Sequence, residues 1–391
     1  MLLIDNTKSL QDFCKTIENE QFITVDLEFL REKTYYAQIC LIQIGSKNGA
    51  AIVDPLAKEL DMSPFWEIMQ NEKIVKVFHS GRQDIEILFN LSGHIPSPIF
   101  DTQIAAMVCG FGEYISYENL VHILLGRELD KTCRLTNWMA RPLDEKQLEY
   151  ALCDVTHLVD VYEKLREILQ KNGHLHWADE EVRVLQTPSS YVVKPEEAWL
   201  KIKHSSHNPH FLRVLQRLAE WREKRAQSHN IPRQMIIKDD CLSSIAAMMP
   251  KTEAQLAQVR NMRKDILNGK LAEEILQVVA SAQQESGLKL SKDEKGVSLH
   301  SSGAQLYELL KTMLKIIGQK EGVVSRLIAS DDDLKKMAMF EQDAKNPAFK
   351  GWRNEIFGQK AKLLREGKIF VCYNCAKHCI DFLENETKEN A

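Results

Sequence analysis

With 391 residues the chain is long enough for two or three domains that each bury a core, which excludes a single small module. Lys and Arg total 51 against 55 Asp and Glu, a formal net charge of −4, so overall charge does not mark a nucleic-acid binder; 44% apolar and 27% charged residues exclude a disordered or fibrous chain. Every apolar run is broken by charge short of the ~20 residues that cross a bilayer, as Lys76 breaks Ile74, Val75, Val77 and Phe78, so no membrane span is expected.

The segment Met1-Leu2-Leu3-Ile4-Asp5 has neither the basic start nor the apolar length of a secretory signal, so a cytoplasmic protein is expected. Short β-type runs then alternate with helical patterns over the first ~160 residues, the mark of an α/β domain. Residues 22–29 read as the first strand, with Val25, Leu27 and Phe29 on one face and Thr24, Asp26 and Glu28 on the other. Residues 36–44 and 50–53 follow over connections too short for a crossover helix, which predicts an antiparallel meander. A fourth strand, 74–78, ends at His79-Ser80-Gly81, after which Asp84, Ile85, Leu88 and Phe89 recur at helical spacing with Ser80 as candidate cap. Residues 99–102 form a fifth strand. Pro142 then precedes a helix whose stripe is Leu148, Leu152, Val155, Leu158 and Val159, and which carries Tyr150 and Asp154.

From about Val192 the β-type runs vanish and the remainder reads as helical, the boundary falling near 190–207. Residues 201–238 hold nine Lys and Arg against Glu220 and Glu223, a basic segment inside an acidic chain whose exposed face is a candidate for phosphate-backbone binding. Trp221, Leu218 and Leu215 recur at helical spacing there and predict packing. Residues 231–242 resemble residues 323–334, pointing to two related helical modules joined by the polar stretch 283–302. The expected domains are thus 1–190, 205–285 and 300–385. Of nine cysteines, six sit singly in apolar surroundings such as that of Cys40, as in reduced compartments. Cys372, Cys375 and Cys379, near His378, invite a zinc reading, but no second pair stands at finger spacing; their own spacing fits one buried helical face.

The chemistry concentrates in four acids and one tyrosine. Asp26 and Glu28 leave the same side of a strand, Asp84 opens a helix behind a buried strand, and Tyr150 and Asp154 lie one helical turn apart. Singly, each has a structural explanation. Together, clustered oxygen ligands suit hard Mg²⁺ or Mn²⁺, and two such ions serve in-line attack of water on a phosphodiester.

The motifs Val25-Asp26-Leu27-Glu28-Phe29, His79-Ser80-Gly81-Arg82-Gln83-Asp84 and Tyr150-Ala151-Leu152-Cys153-Asp154 resemble the three exonuclease motifs of the DEDD superfamily, in its tyrosine-containing branch. Residues 34–43, 54–56, 100–103, 129–131 and 137–143 look like the ribonuclease D family, and the two helical repeats resemble the HRDC domains that follow its nuclease domain. Leu27 and the Gly81-Arg82-Gln83 approach depart from the usual pattern without touching the acids.

The resemblance implies an RNase H-like α/β domain with a mixed sheet followed by two all-α HRDC-like domains. It implies a 3′→5′ exoribonuclease that trims tRNA precursors and releases nucleoside 5′-monophosphates. Asp26, Glu28, Asp84 and Asp154 would bind two divalent cations and Tyr150 would orient the attacking water. Candidate substrate contacts are His79, Tyr36, Gln38, Lys131 and Arg141, with packing, strand propensity or surface solvation as the alternative for each. Free RNA 3′ ends are the expected partner of a monomeric enzyme, and no nucleotide cofactor is expected, since a Gly-x-x-x-x-Gly-Lys-Ser/Thr loop is missing.

Overall fold

A computed structural model describes residues 2–129, 136–267, 269–288, 299–340, 343–376 and 378–384. Six strands form one mixed sheet, β1 (Leu2–Ile4), β2 (Phe22–Leu30), β3 (Gln38–Ser46), β4 (Gly49–Val53), β5 (Val75–Phe78) and β6 (Ile99–Asp101), in the order β1-β4-β3-β2-β5-β6. The expected meander is present, with β3 antiparallel to both neighbours, while β1 pairs parallel with β4 and β5 parallel with β2. Period-two alternation sorts β2 between two layers. Ile23, Val25 and Leu27 face a core made with helices α1 (Thr7–Ile17), α2 (Ser63–Gln70) and α3 (Arg82–Ser92). The even positions face α4 (Thr102–Val108), α5 (Tyr117–Leu125) and the 28-residue α6 (Glu145–Asn172), which is followed by α7 (Leu175–Val182).

Two helical units follow. The first comprises α8 (Pro209–His229), α9 (Arg233–Ile236), α10 (Asp239–Met248), α11 (Glu253–Leu256), α12 (Lys264–Leu267) and α13 (Lys270–Gln284), around a core that includes Trp199, Phe211, Leu215, Leu218, Leu242 and Val279. The second opens with α14 (Ser301–Glu321), α15 (Ser325–Ile328) and α16 (Asp331–Ala338). These start 92 residues after α8, α9 and α10 respectively, and α14 matches α8 in length, so the repeat seen in sequence extends over three helices.

The two units meet the nuclease layer differently. The first is held mainly through polar groups: Tyr35 Oη donates to Glu223, the Tyr36 amide donates to Asn230 Oδ1 at 2.9 Å, and Gln227 donates to the Val193 carbonyl at 3.0 Å. The second shares one continuous apolar core with α4–α7, in which Trp352 stacks on Trp177 at 4.5 Å between ring centroids. Gly110 makes that approach possible, since a Cβ there would lie 2.6 Å from the Gly322 carbonyl oxygen. Further along come α17 (Gly351–Arg353) and α18 (Gln359–Arg365).

One expectation fails at the C-terminal end. Residues 369–384 form an antiparallel hairpin, β7 (Ile369–Asn374) and β8 (Cys379–Glu384), rather than a helix. Val371 and Phe382, directly opposite each other, pack against the shared core. Cys372 therefore lies on β7 and the exposed Cys379 opens β8, with Cys375 exposed at the turn, so the helical-face reading of this cysteine run is wrong. No helix among the described residues is long and apolar enough to cross a membrane.

Candidate active site

The site forms where β2 passes beneath α6. Asp26 pairs with Gln43 and Glu28 with Leu41, and the register then shifts, a bulge that bends the strand directly after its second acid. Helix α6 starts at a capping box in which the Asp144 side chain accepts from the Gln147 backbone N–H and the Gln147 side-chain oxygen accepts from the Asp144 backbone N–H. Three contacts seat α6 on the sheet. Thr24 Oγ1 donates to the Val155 carbonyl at 2.8 Å, Tyr117 Oη donates to the Asp154 carbonyl at 2.8 Å, and Gly45 leaves the space into which the Val155 carbonyl descends.

The consequence is convergence of Asp26, Glu28 and Asp154, each offering a carboxylate oxygen within 4.8 Å of the others. Asp84 is buried on the first turn of α3 and stands outside that triplet. Its carboxyl is pushed well up by burial and then by the charges of Asp26 and Asp101. The turn before it is fixed by Asp101, which accepts the Gly81 amide at 2.8 Å and the Ser80 amide at 3.3 Å while capping α4. Ser80 takes a positive φ of 56° instead of capping α3, where Gly81 occupies the cap position. Burial likewise raises Asp26 to about 7. A donor set made of oxygen alone fits a hard divalent cation such as Mg²⁺ or Mn²⁺ rather than zinc.

Asp26, Glu28, Tyr150 and Asp154 open onto a cavity of about 860 Å³. His79 lines it too, its Nδ1 3.0 Å from Thr102 Oγ1, and burial lowers its pKa and so favours the neutral ring. The other candidate contacts lie elsewhere. Tyr36 lines a different cavity, and Gln38, exposed at the start of β3, lines neither. Arg141 is committed to structure: it grips Asp54 through Nε at 2.6 Å and Nη2 at 2.8 Å, and donates to the carbonyls of Cys40, Trp138 and Ala140. Lys131 falls outside the described residues. Sequence reasoning missed His157 and Tyr117 in the cavity wall. His157 was findable, since it follows Tyr150 and Asp154 at i+7 and i+3 on α6; Tyr117 is brought in only by the tertiary fold.

Among known proteins, ribonuclease D of Bartonella henselae is 44% identical to the chain over 369 residues, 94% of this chain and 91% of the relative. The chain belongs to the ribonuclease D family. Ribonuclease D of Nitrobacter hamburgensis is 42% identical over 94% of this chain and 96% of its own. Residues 1–170 match the 3′-5′ exonuclease family and residues 211–279 the HRDC domain. The crystal structure of Escherichia coli RNase D, described as an exoribonuclease involved in structured RNA processing, superposes with a TM-score of 0.80 at 28% identity over 93% of this chain and 98% of that one. The chain is accordingly a hydrolytic 3′→5′ exoribonuclease with an exonuclease domain and an HRDC domain.

Proposed function

We propose that this ribonuclease D family member trims the 3′ trailers of tRNA precursors in the cytosol, acting as a monomer and releasing nucleoside 5′-monophosphates. The observation that carries the catalytic part is the convergence of Asp26, Glu28 and Asp154 beside Tyr150, with the buried Asp84 near enough to feel the charge of Asp26. In this reading Asp26, Glu28, Asp84 and Asp154 hold two divalent cations, Mg²⁺ or Mn²⁺. When bound, the cations supply Lewis acidity that makes water a nucleophile at neutral pH and stabilises the leaving oxygen. Tyr150 presents its hydroxyl to the attacking water and orients it by a hydrogen bond, and the water's proton passes to the solvent of the cavity. At about 860 Å³ the cavity has room for a terminal nucleotide, and its acidic wall excludes the internal phosphates of a folded RNA.

Purified protein incubated with a 3′-extended tRNA, the same RNA with a blocked 3′ end, and single-stranded DNA, each with Mg²⁺, Mn²⁺ or EDTA, tests the reading. Stepwise shortening of the open RNA alone, abolished by EDTA and by Asp26→Asn, is expected. Tyr150→Phe should lower kcat more than it raises KM. Equal digestion of the DNA would redirect the substrate assignment, and undiminished activity of Asp26→Asn would overturn the metal assignment.

A further inference from the structure

The catalytic cavity presents a problem of charge. Six of its described lining residues are acids (Asp26, Glu28, Glu118, Glu128, Glu149 and Asp154), and Lys146 is the one lysine or arginine among them. A polyanionic strand whose 3′ end enters there needs cations elsewhere along its backbone. A second cavity, of about 570 Å³, opens between the β2–β3 loop and the first helical unit and shares no lining residue with the first. Four cations, Arg31, Lys201, Arg222 and Arg233, line it against two carboxylates, Glu86 and Asp239.

Those cations are unequally engaged. Arg31 is neutralised by Glu86 at 2.8 Å and Arg222 pairs with Asp239 at 2.7 Å. Lys201 has no hydrogen-bond or ion-pair partner among the described residues, and Arg233 reaches Glu223 only at 3.4 Å. Arg222, 3% exposed, keeps a buried Nε without a hydrogen-bond partner at the cavity wall. The rest of the lining suits a base. Tyr36 is 39% exposed and its ring is braced edge-on by Tyr35, and Gln234 and Asn90 offer amides at the same wall. The Tyr36 backbone is itself tied to Asn230 of the helical unit, so the ring is presented by both domains.

We propose that this interdomain cavity is an upstream nucleotide subsite, taking one nucleotide of the RNA strand with its base against Tyr36 and its phosphate on Lys201 and Arg233. The proposal rests on the exoribonuclease reading of the catalytic cavity. Glu28 of the first cavity and Arg31 of the second are three residues apart in the chain, at most about 10 Å, so one strand of several nucleotides can enter both. The polar seam between the nuclease layer and the first helical unit thereby becomes part of the substrate path.

Two measurements on the full chain test this. In EDTA, where no hydrolysis occurs, Lys201 acetylation is followed by mass spectrometry with no ligand, with a twelve-residue oligouridylate, or with uridine 5′-monophosphate. Protection by the oligomer and not by the mononucleotide is expected. Lys201→Glu should weaken oligomer binding about tenfold and flatten the slope of log affinity against log salt by about 0.7 to 1.4, corresponding to one or two phosphate contacts. In the presence of metal, the ratio of kcat/KM for the twelve-mer to that for a dinucleotide should fall about tenfold in Lys201→Glu and in Tyr36→Ala. Equal protection by the mononucleotide would overturn the assignment to the strand in favour of a free nucleotide, and no protection by either ligand would overturn the subsite altogether. An inactive wild-type protein whose Lys201 is still protected by the oligomer would sink the catalytic reading while supporting the subsite.

Discussion

Gly45 on β3 is where the seating of α6 can be tested most directly. A Cβ built there lies 2.9 Å from the Val155 carbonyl oxygen and nearer still to Thr24 Oγ1, whereas ordinary van der Waals contact begins at 3.4 Å. Gly45→Ala must therefore push α6 away by about 0.5 Å and strain or break the Thr24–Val155 hydrogen bond, for a combined cost of about 2–3 kcal/mol. With an unfolding entropy of about 2.1 cal/mol/K per residue, that corresponds in a protein of this size to a fall of about 2–4 °C in Tm. The displaced helix carries Tyr150 and Asp154, so kcat should drop about tenfold, given that a 1 Å misplacement can cost a hundredfold. Thr24→Ala alone should cost about 1 kcal/mol, and the double variant less than the sum by about 1 kcal/mol, because the methyl then meets one obstacle rather than two. Calorimetry and single-turnover hydrolysis of a short RNA read both effects. A Gly45→Ala protein with wild-type Tm and kcat would refute the claim that this glycine sets the height of α6 above the acids.

Three other outcomes are expected. Because Asp26 titrates near 7 in the folded chain against 3.8 for a free carboxyl, the native state holds the extra proton between those values. Metal-free stability should then fall as pH rises from about 4 to 7, by up to a few kcal/mol, while the Mg²⁺-induced gain in Tm grows over the same window; a Mg²⁺ effect independent of pH between 5.5 and 8 would contradict this. Arg141→Met should lower stability by about 2–4 kcal/mol, since it strands Asp54, yet leave KM for RNA unchanged at a temperature where the protein stays folded; a raised KM would restore Arg141 as a substrate contact. Trp352→Ala should cost about 3–5 kcal/mol and lower the unfolding transition of the nuclease layer together with that of the second helical unit; a nuclease transition that did not move would show their cores to be separable.

What could be read from the sequence was whatever depends on local periodicity. Alternation along β2 placed Asp26 and Glu28 on one side, and the i, i+4 spacing placed Tyr150 with Asp154, because both follow from backbone geometry alone. Strand β1 escaped notice since three residues hold too little pattern, and it exists only by pairing parallel with β4 across some fifty residues of chain. The hairpin Ile369–Asn374/Cys379–Glu384 was missed for a different reason: cysteines three and four residues apart mimic a helical face, although Ile369, Phe370, Val371 and Tyr373 have strand propensity. Arg141 and Tyr36 show a further limit. A charge or ring near a catalytic motif in the chain does not reveal which cavity it faces, and here Arg141 is consumed by Asp54 while Tyr36 turns to the helical unit.

The shared core beneath the second helical unit separates covalent order from cooperative order. Along the chain the second repeat is the segment farthest from the catalytic strand, and by sequence order alone a cut in the linker before residue 205 releases an intact nuclease. In space that cut would strip Leu310, Met313, Ile317 and Trp352 from the surface of α4–α7 and leave Trp177 facing water. The excised domain would carry all four acids and Tyr150 and still lack half of the apolar layer that supports α6 from behind. The smallest piece that keeps the acids in register therefore runs from the first strand to the last hairpin, and the first helical unit, lying between them in sequence, is the part held most by hydrogen bonds and least by shared core.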